Sequence, residues 1–362
     1  MTRLALTGYG QVSALGVGRQ AFESALAESA AARRFRCDGP GSELGPGVVQ
    51  VWDWDAAAHL GKKGHRTYDR LTKFQVTAAK YALEDAALKD AFEPGRIGVS
   101  SATAYGSLDA ITELNRVAEL EDPRYINPQR FPNTVINSAA GYVSIWHDLR
   151  GPNTTIADGN CGALDALLVA RTHLANGRAD ALLVGGGEVA TEPLLAALGR
   201  LGLRGDDAPL RVGEGACLFC VEGSESAQAR GAKVLAEVMG VGTSFEPPAS
   251  EAMLVHGSAL ALEEAIAEAL DDAKVDASAI NAVVRARCGV AVFDDAESEG
   301  LRRAGVAAPA LAPKDYLGET FGASGAFAMA AAIESLRRGA KHVLVTTLGY
   351  YGKASAAVLT SS

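Results

Sequence analysis

The stretch GPNTTIADGNCGALDAL, Gly151 to Leu167, reads as a strand end punctuated by glycine that runs directly into a helix. Enzymes often mount a nucleophile at such a junction, because the unpaired N–H groups at a helix start stabilise an anion. It contains one cysteine, Cys161. Whether that thiol occupies the nucleophile's place or stands beside it decides the functional reading.

Outward from this junction the chain alternates strands and helices. RLALTGYG, RIGVSS, DALLVGGGEV and GACLFCVE read as strands, with helices near Gln20 to Glu28, Lys73 to Ala87 and Cys161 to Ala175. The order then recurs: KVLAEVMGVG, a long amphipathic helix from Ala259 to Asp272, NAVVRAR, HVLVTTLG and SAAVLTS. Such alternation implies sheets covered by helices, and the recurrence implies two similar α/β units fused back to back. The boundary is expected within Glu222 to Lys233, which gives halves 1–228 and 229–362 sharing one core. Ala104 to Ser138, with three prolines and several asparagines, reads as a long irregular insertion that binds a partner or forms an interface.

Composition narrows the class. With 362 residues, 48% hydrophobic and 21% charged, the chain can bury one large core or two fused ones. No apolar run reaches the roughly 18 residues of a membrane span and the start lacks signal-peptide architecture, so a cytoplasmic protein without a membrane role is expected. The net charge of -9 argues against a nucleic-acid surface, though it leaves room for a local basic patch facing an acidic carrier. Five cysteines (Cys37, Cys161, Cys217, Cys220 and Cys288) define no disulfide framework. Cys217 and Cys220 have metal-like spacing, but positions three apart on a strand face opposite sides, so no metal site is expected.

These segments, in this order, resemble the thiolase-fold β-ketoacyl synthases of fatty acid and polyketide assembly. ALTGYGQVSALG resembles their opening strand and loop, and FPNTVINSAAGYVS with LRGPNTT the approach to the nucleophile. DALLVGGGE resembles the strand after the nucleophile helix; PKDYLGETFGASGA and TTLGYYGKASAAVL resemble the two C-terminal active-site loops. The resemblance implies a duplicated five-layer α/β/α/β/α sandwich that dimerises, an acyl tunnel, no cofactor and an acyl carrier protein as partner. The dimer insertion would be 104–138, with Phe131, Asn133 and Thr134 in it, and Leu348, Gly349, Tyr350 and Tyr351 would line the tunnel or its gate.

Family catalysis uses a cysteine to carry the acyl chain and two histidines to stabilise the enolate and oxyanion. Anchored by Gly151 to Thr155 on one side and by Leu164 and Asp165 on the other, the cysteine position falls on Asn160. Cys161 is one residue late, and one helical step turns a side chain by about 100°; it remains the fallback nucleophile if a local bulge re-aims it. The first histidine position, eight residues before Asp295, is Arg287, which cannot act as a base. The second, framed by Lys314, Gly318, Ala323 and Gly325, is Glu319, whose carboxylate would repel an enolate. None of the six histidines occupies a motif position, and His147 reads as structural.

With all three catalytic positions replaced, the resemblance is strongest to the chain-length factors, noncatalytic subunits that pair with an active ketosynthase in type II polyketide synthases. Arg287 and Glu319 are expected to compensate each other across the vacant site, since an unpaired buried charge costs several kcal/mol. The alternative reading is a divergent condensing or acyl-transferring enzyme that uses Cys161.

Overall fold

A computed structural model describes residues 3–29, 32–33, 44–52, 54–204 and 210–361; Cys37 lies outside them. The first half supplies strands β1 (Leu4–Ser13), β2 (Ile97–Ala102), β3 (Asn153–Ile156), β4 (Ala181–Glu188) and β5 (Gly215–Gly223). The second supplies β6 (Ala236–Phe245), β7 (Ala282–Val284), β8 (Ala310–Leu311), β9 (His342–Leu348) and β10 (Lys353–Thr360). The longer helices that cover and position these strands are α1 (Arg19–Ala27), α2 (Arg70–Asp85), α3 (Leu108–Leu120), α4 (Ser138–His147), α5 (Gly162–Ala175), α6 (Glu192–Arg200), α7 (Ala259–Ala273), α8 (Ala291–Arg303) and α9 (Ser324–Arg337).

Among the described residues one sheet runs β8-β7-β9-β10-β6-β1-β5-β4-β2-β3, with Gly16–Val17 pairing with β1. Outward from its middle the order is first, fifth, fourth, second, third strand in both halves. The pair directions repeat too: antiparallel, antiparallel, parallel, parallel. The halves meet where β1 pairs antiparallel with β6, Leu4 opposite Val238. This is the duplication expected from the recurring sequence pattern.

Layering follows from which face of each strand is apolar. Leu182, Val184, Phe219, Val343 and Val345 pack onto α5 and α9, which lie between the two halves of the sheet. The opposite faces, Leu183 and Leu218 in the first half and Leu344 and Val358 in the second, pack under α2 with α4 and under α7 with α8. The result is five layers, α/β/α/β/α, around a central helical layer. Cys217 belongs to the inner core and Cys220 to the outer one, so the two thiols face opposite sides of β5. No helix among the described residues is long and apolar enough to cross a membrane.

Two expectations need correction here. Ala104 to Ser138 is not irregular throughout, because its first half is the 13-residue helix α3. Leu108, Ile111, Leu114 and Val117 recur at helical spacing, yet no α3 residue is fully buried. Asn133 is not on the surface: it is buried, and its Nδ2 donates to Thr67 O at 2.8 Å.

Candidate active site

Two junctions of the same kind converge at one place. In the first half a turn, Gly159–Cys161, leads into α5 and carries Asn160. In the second, Lys314–Leu317 forms one helical turn, Gly318 at φ 72° reverses the chain, and a turn at Phe321–Ala323 leads into α9. Between Gly318 and that turn sits Glu319, its N–H donating to Arg211 O and its carbonyl accepting from Gly213 N. With the backbone held on both sides, its side chain points inward, 1% exposed.

The Glu319 carboxylate is saturated. Oε2 accepts from Lys314 Nζ at 2.7 Å, Asn160 Nδ2 at 3.1 Å and Tyr350 OH at 3.1 Å. Oε1 accepts from Ser324 Oγ at 2.7 Å and Phe321 N at 2.9 Å. A carboxylate offers about four lone-pair positions, so five donors leave nothing for a substrate. Burial opposes the charge on Lys314, but the facing Glu319 outweighs it and holds the ammonium above the ordinary lysine range. The Tyr350 hydroxyl is raised well above its usual value, first by burial and then by the same carboxylate.

Aromatic rings close the mouth. Tyr350 stacks on Phe293 with centroids 4.4 Å apart, and Phe321 meets both Tyr350 and Tyr105 edge-on. A void of about 10 Å³, room for one water at most, lies beside Lys314, Thr320 and Ser324. Of the expected gate residues, Leu348 and Gly349 are buried, Tyr350 plugs the site, and Tyr351 is 43% exposed.

Cys161 is fully buried one residue past Asn160, its Sγ 3.8 Å from Thr347 O. Burial, with Asp165 nearby, pushes its thiol up to about 12, so at neutral pH it is neither a thiolate nor reachable. The bulge that would have re-aimed it is absent.

Arg287 and Glu319 do not meet. Arg287 turns outward, 48% exposed, and its Nη2 pairs with Asp315 Oδ1 at 3.0 Å. Glu319 is compensated instead by Lys314, from its own loop. The next residue, Cys288, is the one turned inward: it packs in the cluster with Phe293, Phe321 and Tyr350, and burial pushes its thiol up to about 12.

Sequence reading missed Ser324 and the pairing roles of Lys314 and Tyr350. It also missed Glu188, a buried carboxylate at the end of β4 that accepts from Thr103 Oγ1, Ala104 N and Gly322 N. No cation faces it among the described residues, and burial pushes its carboxyl up to about 7. The signal available was spatial: Gly186 and Gly322 touch so closely that a Cβ on Gly186 would lie 2.2 Å from Gly322 O. His147 is structural, with Nε2 donating to Val76 O at 3.0 Å.

A separate groove of about 1370 Å³ opens between α3, the 50–55 and 66–70 segments, and 190–193. Tyr125, which lines it, is exposed, as are Leu120, Phe131 and Ile145.

Comparison with known proteins agrees with this architecture. The family profile "Beta-ketoacyl synthase, N-terminal domain" matches residues 1–212 and "Beta-ketoacyl synthase, C-terminal domain" matches 235–348. The 3-oxoacyl-[acyl-carrier-protein] synthase 2 of Vibrio harveyi is 31% identical over 271 residues, covering 70% of this chain and 65% of that protein's length. The match thus spans just under two thirds of that relative. A Streptomyces coelicolor protein named as beta-ketoacyl synthase 2 of the actinorhodin polyketide is 28% identical over 95% of this chain and 87% of its own. In fold, the ishigamide ketosynthase/chain length factor superposes with TM-score 0.88 at 22% identity, covering 100% of this chain and 99% of that one. The chain therefore belongs to the β-ketoacyl synthase family.

Proposed function

We propose that this chain is a noncatalytic, chain-length-factor-like subunit. It associates with an active β-ketoacyl synthase and shapes the tunnel in which a growing polyketide or polyene chain lies, served by an acyl carrier protein. The observation that carries this reading is the saturated Glu319 carboxylate, locked to Lys314, Asn160, Ser324 and Tyr350 where a condensing enzyme needs a free thiolate and two imidazoles. The alternative, condensation through Cys161, is disfavoured by the burial of its thiol.

Association is supported by unburied apolar surface. Leu120, Tyr125, Phe131 and Ile145 are each at least 60% exposed, and α3 presents an apolar stripe that nothing among the described residues covers completely. The β3 edge bears no lysine and no proline, the usual protections of an open strand. In this reading 104–138 is the association segment of the 1–228 half. The 229–362 half brings Glu319, Lys314 and the Leu348–Tyr351 loop to the sealed site, and the chain's share of the tunnel lies on the α3 side.

The purified chain is expected to show no carbon–carbon bond formation from acyl and malonyl carrier substrates, and to co-elute with an active ketosynthase as a heterodimer. Condensation by the chain alone, abolished by Cys161→Ala, would overturn the reading. So would a monodisperse monomer that ignores the ketosynthase.

A further inference from the structure

The interior carboxylates that face a cation are of two kinds. Glu214, Glu222 and Glu297, each at most 1% exposed, pair with Arg70, Arg230 and Arg285, whose side chains stay 21 to 40% exposed. An arginine remains charged in any protein and exchanges no proton with its partner. Glu319 differs on both counts: its cation is a lysine, and that lysine is itself only 8% exposed. A lysine amine can release its proton where the surroundings disfavour charge, and it is then a nucleophile.

A third group completes the arrangement. Asn160 Nδ2 donates at 3.1 Å to the same oxygen, Glu319 Oε2, that accepts from Lys314 Nζ at 2.7 Å. One carboxylate oxygen thus gathers a carboxamide from the first half and an amine from the second. Asn160, like the other two, is buried. Phe293, Phe321 and Tyr350 close over the three, and the void beside them holds one water at most. Both ends are fixed by the backbone: Gly159 at φ 51° sets the turn that carries Asn160, and Gly318 at φ 72° returns Glu319 toward Lys314.

We propose that Lys314 and Asn160 form a self-modification site, at which the amine displaces ammonia from the carboxamide and an isopeptide bond joins the two halves across the sealed site. The step balances without a co-reactant. Lys314 Nζ forms a bond to Asn160 Cγ, the Cγ–Nδ2 bond breaks, and nothing is oxidised or reduced. Nζ gives up two protons through Glu319 Oε2: one stays on Glu319, and the other leaves with Nδ2 as ammonia. Passing the first proton from ammonium to carboxylate replaces two buried charges by none, and holding amine and amide on one oxygen replaces an encounter by proximity. Because Glu319 favours the charged amine, the ion pair is the resting state and the bond forms slowly, so freshly isolated chain carries the pair described above. The inference goes beyond the subunit reading and needs no partner.

The test uses the full chain, freshly purified and again after incubation for days at mildly alkaline pH. Intact mass is measured in denaturant and a tryptic map is made. A fraction of chain lighter by one ammonia is expected to grow with time. In that fraction trypsin should no longer cleave after Lys314, and a branched peptide should join 151–171 to the segment that carries Lys314. Glu319→Gln keeps both reacting groups but lacks the proton acceptor, so it is expected to stay at full mass, as are Lys314→Arg and Asn160→Ala. Wild-type chain that remains at full mass and is cleaved after Lys314 throughout overturns the proposal, whatever the variants do. So does loss of ammonia without the branched peptide, which is ordinary deamidation. Neither result depends on whether a ketosynthase associates, so the subunit reading stands or fails by its own experiment.

Discussion

The two halves share a strand order and a central helix, but they contribute unequally to the site where those helices begin. The first half brings a neutral amide, Asn160, on the turn before α5. The second brings both charges, Lys314 and Glu319, from one loop before α9. Their coats differ too: β7 passes to α8 within seven residues, whereas the equivalent link after β2 carries α3 and the exposed apolar surface. Duplication thus fixes where a site can form, while the loops decide what it does. One loop has become an internal lock and the other an outward face.

The sharpest test of that asymmetry breaks the lock from the second half. Lys314→Ala leaves the Glu319 carboxylate in the interior without its cation, and a loss of about 3 to 5 kcal/mol is expected in urea unfolding. Replacing both partners, as Lys314→Met with Glu319→Met, should cost less than the single change, because no bare charge remains. A single change with no measurable cost would mean that the pair does not hold the site together.

Within the first half, two buried groups should make stability depend on pH in opposite senses. Burial lowers the His147 imidazole to about 4. The unfolded chain therefore takes up that proton first, and the contribution, about 3 kcal/mol at most, is present above pH 6.5 and lost as pH falls toward 4. Glu188 is raised to about 7, so the folded chain holds its proton more tightly. Its contribution is present below about pH 4.5 and lost as pH rises toward 7. Unfolding curves of His147→Gln and Glu188→Gln across this range should each remove one slope. Profiles parallel to wild type would show that neither group titrates in its buried state.

A smaller effect is expected from the first half's share of the lock. Asn160→Ala removes one of five donors to Glu319, and about 1 kcal/mol is expected, since four donors and the Lys314 charge remain. A loss as large as that of Lys314→Ala would mean that both halves hold the site equally.

How much of this was legible depends on the kind of signal each feature leaves. The layered fold was readable because strand and helix periods alternate and recur, and motif spacing singled out Asn160, which the fold sets on the turn before α5 against Glu319. Helix α3 was hidden by the segment after it: Pro123, Pro128 and Pro132 drew the whole stretch into one irregular reading, although Leu108, Ile111, Leu114 and Val117 keep helical spacing. Lys314 was seen as a marker of the loop rather than as the partner of Glu319. Its role depends on the reversal at Gly318, which returns the chain toward its own lysine and which residue spacing does not encode.

The same distinction governs Arg287, where the smallest effect is expected. Motif spacing alone suggests a histidine position for it, and reasoning from charge alone would set it against Glu319. In the fold, β7 ends at Val284, and the segment after it turns Ala286 inward and Arg287 outward, toward an aspartate next in sequence to Lys314. Both members of the Arg287–Asp315 pair are more than two-fifths exposed, so water and salt screen it. Pairs of that kind contribute about 0 to 1 kcal/mol. Arg287→Ala should therefore barely move the unfolding midpoint, and what change there is should shrink in high salt. Combined with Glu319→Ala in a double-mutant cycle, it should show a coupling energy near zero, because the two side chains belong to separate networks. A coupling above about 1 kcal/mol would place both charges in one network and restore the compensated pair expected from the sequence.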